Sequence, residues 1–299
     1  MNLFDQLVSQ ALKSQGELAP LRIVVEKELL HHDILREMSA AGLLNQLTFI
    51  GGTCLRACYG SNRLSEDLDF TGGAGFQRET LQQLGKVLVG CLQIKYGLAV
   101  EVSEPRRESG NVDTWKLKLI THPEQKNLPA QRINIDICAI PSYDKRPMVI
   151  RNHYGVDMGT SGLILQAESR EEIFADKLVA FALRPNRIKN RDLWDIGWLK
   201  QQGTVVPLAL LAKKVADHGY IPENFMPLMA QRSQQLRADP AVKAGFIQEM
   251  RRFLPPDVVV RTVEAPAFWD YLAGAVQEEC ARVLGFLAAG GEATPAFRM

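Results

Sequence analysis

No sign of charge dominates this 299-residue chain: 35 Lys and Arg face 34 Asp and Glu, for a net charge of +1. A global field that would draw the protein onto a polyanion is therefore absent, and a nucleic-acid partner would have to be met by a local patch. Cysteine is sparse. Cys54, Cys58, Cys91, Cys138 and Cys280 include no C-x-x-C pair, and an odd number in apolar surroundings fits reduced, packed thiols of a cytosolic protein. The five histidines fall into no zinc spacing; His31 and His32 adjoin on a helix and so point to different faces. No apolar run approaches a membrane span and the N-terminus carries no signal-like core, so a cytoplasmic location without membrane contact is expected. There is no repeat of 20–50 residues and no low-complexity segment. Neither a G-x-G-x-x-G nor a Walker A lysine occurs, which argues against the dinucleotide-binding and P-loop classes. What remains is ordinary globular composition, 46% hydrophobic and 23% charged, with material for one large or two ordinary domains.

The chain turns on Phe49 to Phe70, FIGGTCLRACYGSNRLSEDLDF. An apolar run, Leu47 to Ile50, stops at Gly51-Gly52. A short helical segment and a polar turn, Gly60 to Arg63, lead to Ser65-Glu66-Asp67-Leu68-Asp69-Phe70. If Leu68 and Phe70 face a core, alternation puts Asp67 and Asp69 together on the opposite face of a strand. Two adjoining carboxylates repel each other unless a cation sits between them. Hard oxygen ligands with few other donors nearby suit Mg²⁺, which also takes oxygens from a substrate phosphate. Gly51 and Gly52 let the backbone approach a phosphate, Thr53 or Ser61 adds a hydroxyl donor, and the helix after Gly52 offers its N-terminal N–H groups. Each piece alone has a plainer reading: D-x-D is usually a solvated strand end and Gly-Gly a turn. Arg56 and Arg63 flank the acidic pair, either as surface arginines or as contacts to a triphosphate.

Elsewhere the periodicity predicts helices over 3–14, 18–41 (with Gly42 as its cap) and 77–96, and strands near 46–50, 98–102, 114–120 and 132–140. The 18–41 helix has a mixed apolar face that includes Glu28 and His32. Residues 71–75, rich in glycine, form a mobile lid or a plain loop. Residues 105–111 read as a hairpin turn. In the fourth strand Ile133, Ile135 and Ile137 share one face, and Asn134 and Asp136 the other. Trp115, Leu117 and Leu119 alternate with Lys116 and Lys118 in the third. Residues 141–162 read as a connector, and from 163 onward the chain reads as almost wholly helical. One such helix sets Lys177 beside an apolar stripe, where a lysine usually snorkels outward. Pro185 ends that helix, and another begins near Arg191 with Asp192 and Asp195 on one face. Trp269, Tyr271 and Phe286 read as core; Arg237, Lys243, Arg251 and Arg252 read as a solvated helix face, with a basic face for RNA as the alternative.

A strand, Gly-Gly, a short helix, Gly-Ser and then D-x-D on a second strand resemble the nucleotidyltransferase superfold shared with DNA polymerase β. Within it, GGT-x-L-R followed by R-x-S-x-D-x-D-F is similar to the AbiEii family, nucleotidyltransferase-like toxins of toxin–antitoxin and phage-abortive systems. A second block, Lys177-Leu178-Val179-Ala180, a basic loop, and Arg191-Asp192-Leu193-Trp194-Asp195-Ile196, resembles the same family. The likeness is anchored at 49–70 and 168–199, with weaker support at 133–137.

The resemblance implies an α/β fold: a polymerase-β-like mixed sheet with flanking helices, plus a C-terminal helical domain. Residues 1–45 would be N-terminal helices packing on the core, 46–160 the nucleotidyltransferase domain, and 161–299 a helical domain completing the active-site cleft. The implied active site is Asp67, Asp69, Asp136, Lys177 and Asp192. Asp67 and Asp69 would hold Mg²⁺, or Mn²⁺ in its place, and Gly51, Gly52, Thr53, Ser61, Arg63 and Lys177 would contact the nucleotide. Asp195 is either a further site residue or an anion pairing with Arg187 or Arg191. The implied reaction is transfer of NMP from an NTP to the 3′ end of tRNA, which stops translation. A cognate antitoxin, often a DNA-binding regulator, would restrain it. Transfer to a protein hydroxyl, or a non-catalytic nucleotide- or antitoxin-binding module, is the alternative.

Overall fold

The computed structural model describes residues 2–105, 111–124 and 129–291. Local signals set most element boundaries. The Asn2 side chain accepts the Asp5 amide at 2.8 Å and opens α1, Leu3–Ser14. A 3-10 turn at Gly16–Leu21, containing Pro20, precedes α2, Arg22–Ala40, so the single helix expected over 18–41 starts later, past the proline. The end of α2 is a Schellman motif: the Gly42 amide reaches the Ser39 carbonyl at 3.0 Å and the Leu43 amide the Met38 carbonyl at 2.8 Å. Gly42 sits at φ +71°, where a side chain would be strained.

Two compact units divide the chain, one of residues 1–168 with 253–257, the other of 169–252 with 258–299. The first is built on a mixed sheet. Its strands are β1 Thr48–Ile50, β2 Leu68–Thr71, β3 Val100–Ser103, β4 Val112–Leu119, β5 Gln131–Cys138, β6 Lys145–Val149 and β7 Ile164–Glu168. Among the described residues they lie in the order β3-β4-β5-β2-β1-β7-β6. β2 runs parallel to β5 and β1 parallel to β7; the other pairs are antiparallel. Leu68, Phe70, Trp115, Leu117, Leu119, Ile133, Ile135 and Ile137 are all buried. Helix α2 packs on β5, and α4, Leu84–Tyr96, packs on β3 and α2. The segment 77–83 forms a separate 3-10 turn, Arg78–Leu81, and not the start of that helix.

Two readings of the middle of the chain need correction. Residues 141–162 are not only a connector, because β6 lies within them; and the chain after 163 is not helical at once, because β7 pairs with β1 inside the sheet. β6 is an edge strand carrying Lys145, Arg146 and Pro147, residues that blunt a sheet edge and mask its strand signal. The sheet unit therefore runs to Glu168, beyond 160. The glycine run after β2 is a tied turn: the Gly72 amide donates to the Cys138 carbonyl and the Gly73 amide to Thr71 Oγ1, both at 3.0 Å. Of the expected hairpin turn at 105–111, residues 106–110 lie outside the described residues.

The second unit is helical: α5 Arg170–Leu183, α6 Asn190–Gln201, α7 Leu208–Asp217, α8 Pro222–Ala238, α9 Pro240–Met250 and α11 Phe268–Ala288, with α10, Pro256–Arg261, at its junction with 253–257. Prolines 222 and 240 open helices at the first position, where no N–H is needed. Trp269 is buried but Tyr271 is 45% exposed, so Tyr271 is not core. Of the basic residues read as a helix face, Arg251 pairs with Glu264 at 2.6 Å and Arg237 approaches Asp270 at 3.9 Å.

Candidate active site

The turn from β1 into the short helix α3, Gly51–Cys54, sets the site. Ile50 is extended and Gly51 has φ +75°. In register Ile50 lies opposite Asp69, and a Cβ on Gly51 would stand 3.0 Å from Asp69 Oδ2. Only glycine meets both conditions without strain. The helix then passes through a π-helical turn, Leu55–Tyr59.

Leu68 and Phe70 are buried while Asp67 and Asp69 are half-buried, as the alternation predicts. β2 and β5 are parallel with Asp69 directly beside Asp136. Asp136 Oδ1 accepts from Thr114 Oγ1 at 2.6 Å, and Asp67 Oδ1 accepts the Asn134 amide at 2.9 Å. Asp69 and Asp136, predicted from two distant stretches, thus stand side by side on adjoining strands, and Asp67, just before β2, is tied to β5 through Asn134. No group of three His, Cys, Asp or Glu side chains among the described residues forms a ready metal site. Mg²⁺ is usually held by one or two carboxylates plus substrate phosphates. The all-oxygen set Asp67, Asp69 and Asp136, with space left beside Asp69 by Gly51, fits that mode.

The segment Ser65–Asp67 is clamped from behind by residues to which the sequence reading gave no such part. Glu28 on α2 accepts the Ser65 amide at 2.8 Å, Arg56 Nε at 3.2 Å and the Tyr154 hydroxyl. Lys27 pairs with Glu66 at 2.9 Å, and His31 Nε2 lies 3.1 Å from the Glu66 carbonyl. Burial works to raise the Glu28 pKa, but Arg56, the Tyr154 hydrogen bond, His31 and the Ser65 amide together bring it below the usual value. Burial pushes His31, His32 and His153 down, His32 to about 4. The available signal was the presence of Glu28 and His32 inside the apolar face of a helix.

The flanking polar residues depart from expectation. Arg56 and Arg63 are both buried and neither is a surface arginine. Arg56 serves Glu28 and the Ser61 carbonyl, and Arg63 Nη1 the Leu64 carbonyl. The Thr53 hydroxyl is engaged with Ser65 Oγ at 2.5 Å and with the Asp67 carbonyl, so it braces the acidic segment and does not face outward. Ser61 is 1% exposed, and its Oγ finds no hydrogen-bond partner among the described residues.

In the helical unit Ser169 caps α5, accepting the Glu172 amide at 3.1 Å. Lys177 does not snorkel outward. It is buried, 2.5 Å from Asp192 and 2.9 Å from Asp195 on α6. Asp195 therefore faces Lys177 together with Asp192. Burial works to raise the Asp192 pKa; Lys177, Lys189 and Arg184 overcome it and hold the carboxyl well below the usual range. One turn away Lys214 of α7 is enclosed by Glu172 at 2.6 Å and Asp176 at 3.2 Å, fixing α5 to α7.

A pocket of about 980 Å³ lies elsewhere in the sheet unit, lined by Asp5, Arg22, Glu26, His122 and Arg132 among others, and it includes none of the predicted site residues.

A glycine turn set against adjoining strand carboxylates, on a mixed sheet followed by a helical unit, defines a nucleotidyltransferase-type protein. The family model of the nucleotidyl transferase AbiEii toxins of type IV toxin–antitoxin systems matches residues 33–274, and the chain belongs to that family. MenT4, a nucleotidyltransferase toxin from Mycobacterium tuberculosis H37Rv, shares the fold: TM-score 0.56 at 17% identity, covering 95% of this chain and 98% of that one. JHP933 from Helicobacter pylori is similar at 15% identity and TM-score 0.45, covering 89% of this chain and 99% of that one. No curated protein matches the chain. Membership implies a nucleoside triphosphate substrate and a partner antitoxin. Among the described residues no helix is long and apolar enough to cross a membrane.

Proposed function

We propose that the protein transfers NMP from an NTP to an RNA acceptor, the 3′ end of tRNA, and that the modified tRNA can no longer be charged, so that translation stops. The observation that carries this reading is the in-register pair Asp69 and Asp136, with Asp67 two residues before and the Gly51 backbone alongside.

In this reading the acceptor hydroxyl oxygen bonds to the α-phosphorus, the bond to the β-phosphate bridge breaks, and pyrophosphate leaves with the electron pair. Asp136, oriented by Thr114, accepts the hydroxyl proton. Asp67 and Asp69 would hold Mg²⁺, or Mn²⁺, whose charge, when it is bound, offsets that developing on the phosphates. Gly51 and Gly52 shape the phosphate loop, and Ser61 is the hydroxyl there still to be satisfied. Thr53, Arg56 and Arg63 hold the loop. Lys177 supplies a cation and Asp192 keeps it charged and in place. The restraining antitoxin is a DNA-binding regulator.

The test incubates the full chain with Mg²⁺, total tRNA and each α-labelled NTP in turn, with Asp69→Asn beside it. Label on tRNA from the wild type alone is expected. Label on protein, or none with any NTP, overturns the reading.

A further inference from the structure

β4 and β5 are antiparallel, with Thr114 opposite Asp136, Lys116 opposite Asn134 and Lys118 opposite Arg132. Their Trp115, Leu117, Ile133 and Ile135 face the core. Alternation therefore puts Thr114, Lys116, Lys118, Arg132, Asn134 and Asp136 on the other face, the face of the candidate carboxylates. On it a row of cations leads away from Asp136. Asn134, with Lys116 at its side, lies two residues along β5, and Arg132, with Lys118 at its side, lies four; these are about 7 and 13 Å at the usual rise.

Lys116 and Arg132 are exposed, and among the described residues neither makes an ion pair. Lys118 reaches Glu101 of β3 at 3.1 Å, on a side chain that is itself 66% exposed. Lys118 and Arg132 are like charges set directly opposite each other, which is unfavourable in an antiparallel pair. An anion arriving from outside relieves that repulsion. In a chain whose net charge is only +1, this is the local patch that a polyanion would need.

We propose that this face of β4 and β5 is the track for the acceptor strand: successive phosphates of a single-stranded RNA end seat on Lys116 and Arg132, and the terminal hydroxyl is delivered to Asp136. The proposal rests on the RNA-acceptor reading above and extends it to named residues. A regularly charged strand complements a row of cations spaced along a β-strand, whereas a protein side-chain acceptor offers no such repeat of anions.

The experiment compares the full-length wild type, the double variant Lys116→Gln/Arg132→Gln, and a control pair of exposed lysines placed elsewhere, Lys13→Gln/Lys86→Gln. Four quantities are measured: Mg–NTP binding by calorimetry, the KM for tRNA in the label-transfer assay, tRNA binding against salt, and the melting temperature. In the track variant KM should rise roughly ten- to thirty-fold near 0.1 M salt, and the salt slope should become shallower by about 1.4, the effect of two lost phosphate contacts on a single strand. NTP binding and melting temperature should stay at wild-type values, and the control pair should behave as wild type. If the wild type labels tRNA but the track variant keeps its KM and salt slope, or the control pair loses as much, the track is wrong while the RNA reading stands. If the wild type labels protein or nothing, the RNA reading falls and the track with it.

Discussion

The two units handle clustered carboxylates in opposite ways. In the helical unit Asp192 and Asp195 are enclosed, at 3% and 0% exposure, around the ammonium of Lys177. In the sheet unit Asp67, Asp69 and Asp136 stand half-buried on the polar face, and the enclosed pair, Glu28 with Arg56, sits behind them. Enclosed charges must be compensated within the fold, since desolvation is otherwise too costly. Accessible carboxylates can take their compensation from a ligand. The helical cluster is thus compensated within the fold, while in the proposed reading the half-buried carboxylates of the sheet also meet a ligand.

The largest expected effect separates the two clusters by activity. Asp69→Asn should lower nucleotidyl transfer by on the order of 10³-fold, with the thermal melt unchanged. An Asp69→Asn protein that melts early would show that the sheet cluster, too, is structural. Next, Lys177→Met should cost about 3–5 kcal/mol, because it removes the ammonium between two buried carboxylates. Adding Asp192→Asn and Asp195→Asn should recover most of that stability in chemical denaturation without restoring transfer; recovery of both would leave Lys177 no part in the chemistry.

Acid should also tell the units apart. His32 is lowered from 6.5 to about 4, first by burial and then by His31. The unfolded chain thus takes up a proton near pH 6.5 that the folded chain refuses until about pH 4. Stability is complete above 6.5 and falls across that window, by on the order of 3 kcal/mol. Asp192 is depressed below its ordinary 3.8, so its contribution persists above pH 3.8 and is lost only below it. The helical unit's one histidine, His218, is also lowered by burial, but the sheet unit holds three such histidines, His31, His32 and His153. Limited proteolysis at pH 5, mapped by mass spectrometry, should therefore cut first within the sheet unit; first cuts in α5 or α6 would contradict the contrast. The smallest effect is at the turn: Gly51→Ala should cost about 1–2 kcal/mol for its left-handed backbone and lower transfer by pressing on Asp69, both measurable on the same purified sample.

Much of this was legible in the sequence because it is local. The D-x-D alternation and the isoleucines around Asp136 both follow from side-chain periodicity within one segment. What the sequence hid was pairing between segments. Thr53 reads as a phosphate donor until the fold puts Ser65 and the Asp67 carbonyl against its hydroxyl. Arg56 reads as a surface cation or a triphosphate contact until Glu28, from another helix, is found beside it. The edge strand β6 was missed because lysine, arginine and proline weaken the pattern by which strands are recognised.

The sheet unit is not continuous in sequence. The amide of Leu64, the residue before the clamped Ser65, donates to the carbonyl of Phe253 at 2.9 Å, and 253–257 belongs to the sheet unit although most of the helical unit precedes it. On a ribosome the partner of that amide emerges about 190 residues late, roughly 10–40 s at ordinary elongation rates. For that interval the approach to the acidic strand lacks one of its backbone anchors. A chain truncated before Phe253 would carry every predicted site residue and still be an unfinished toxin.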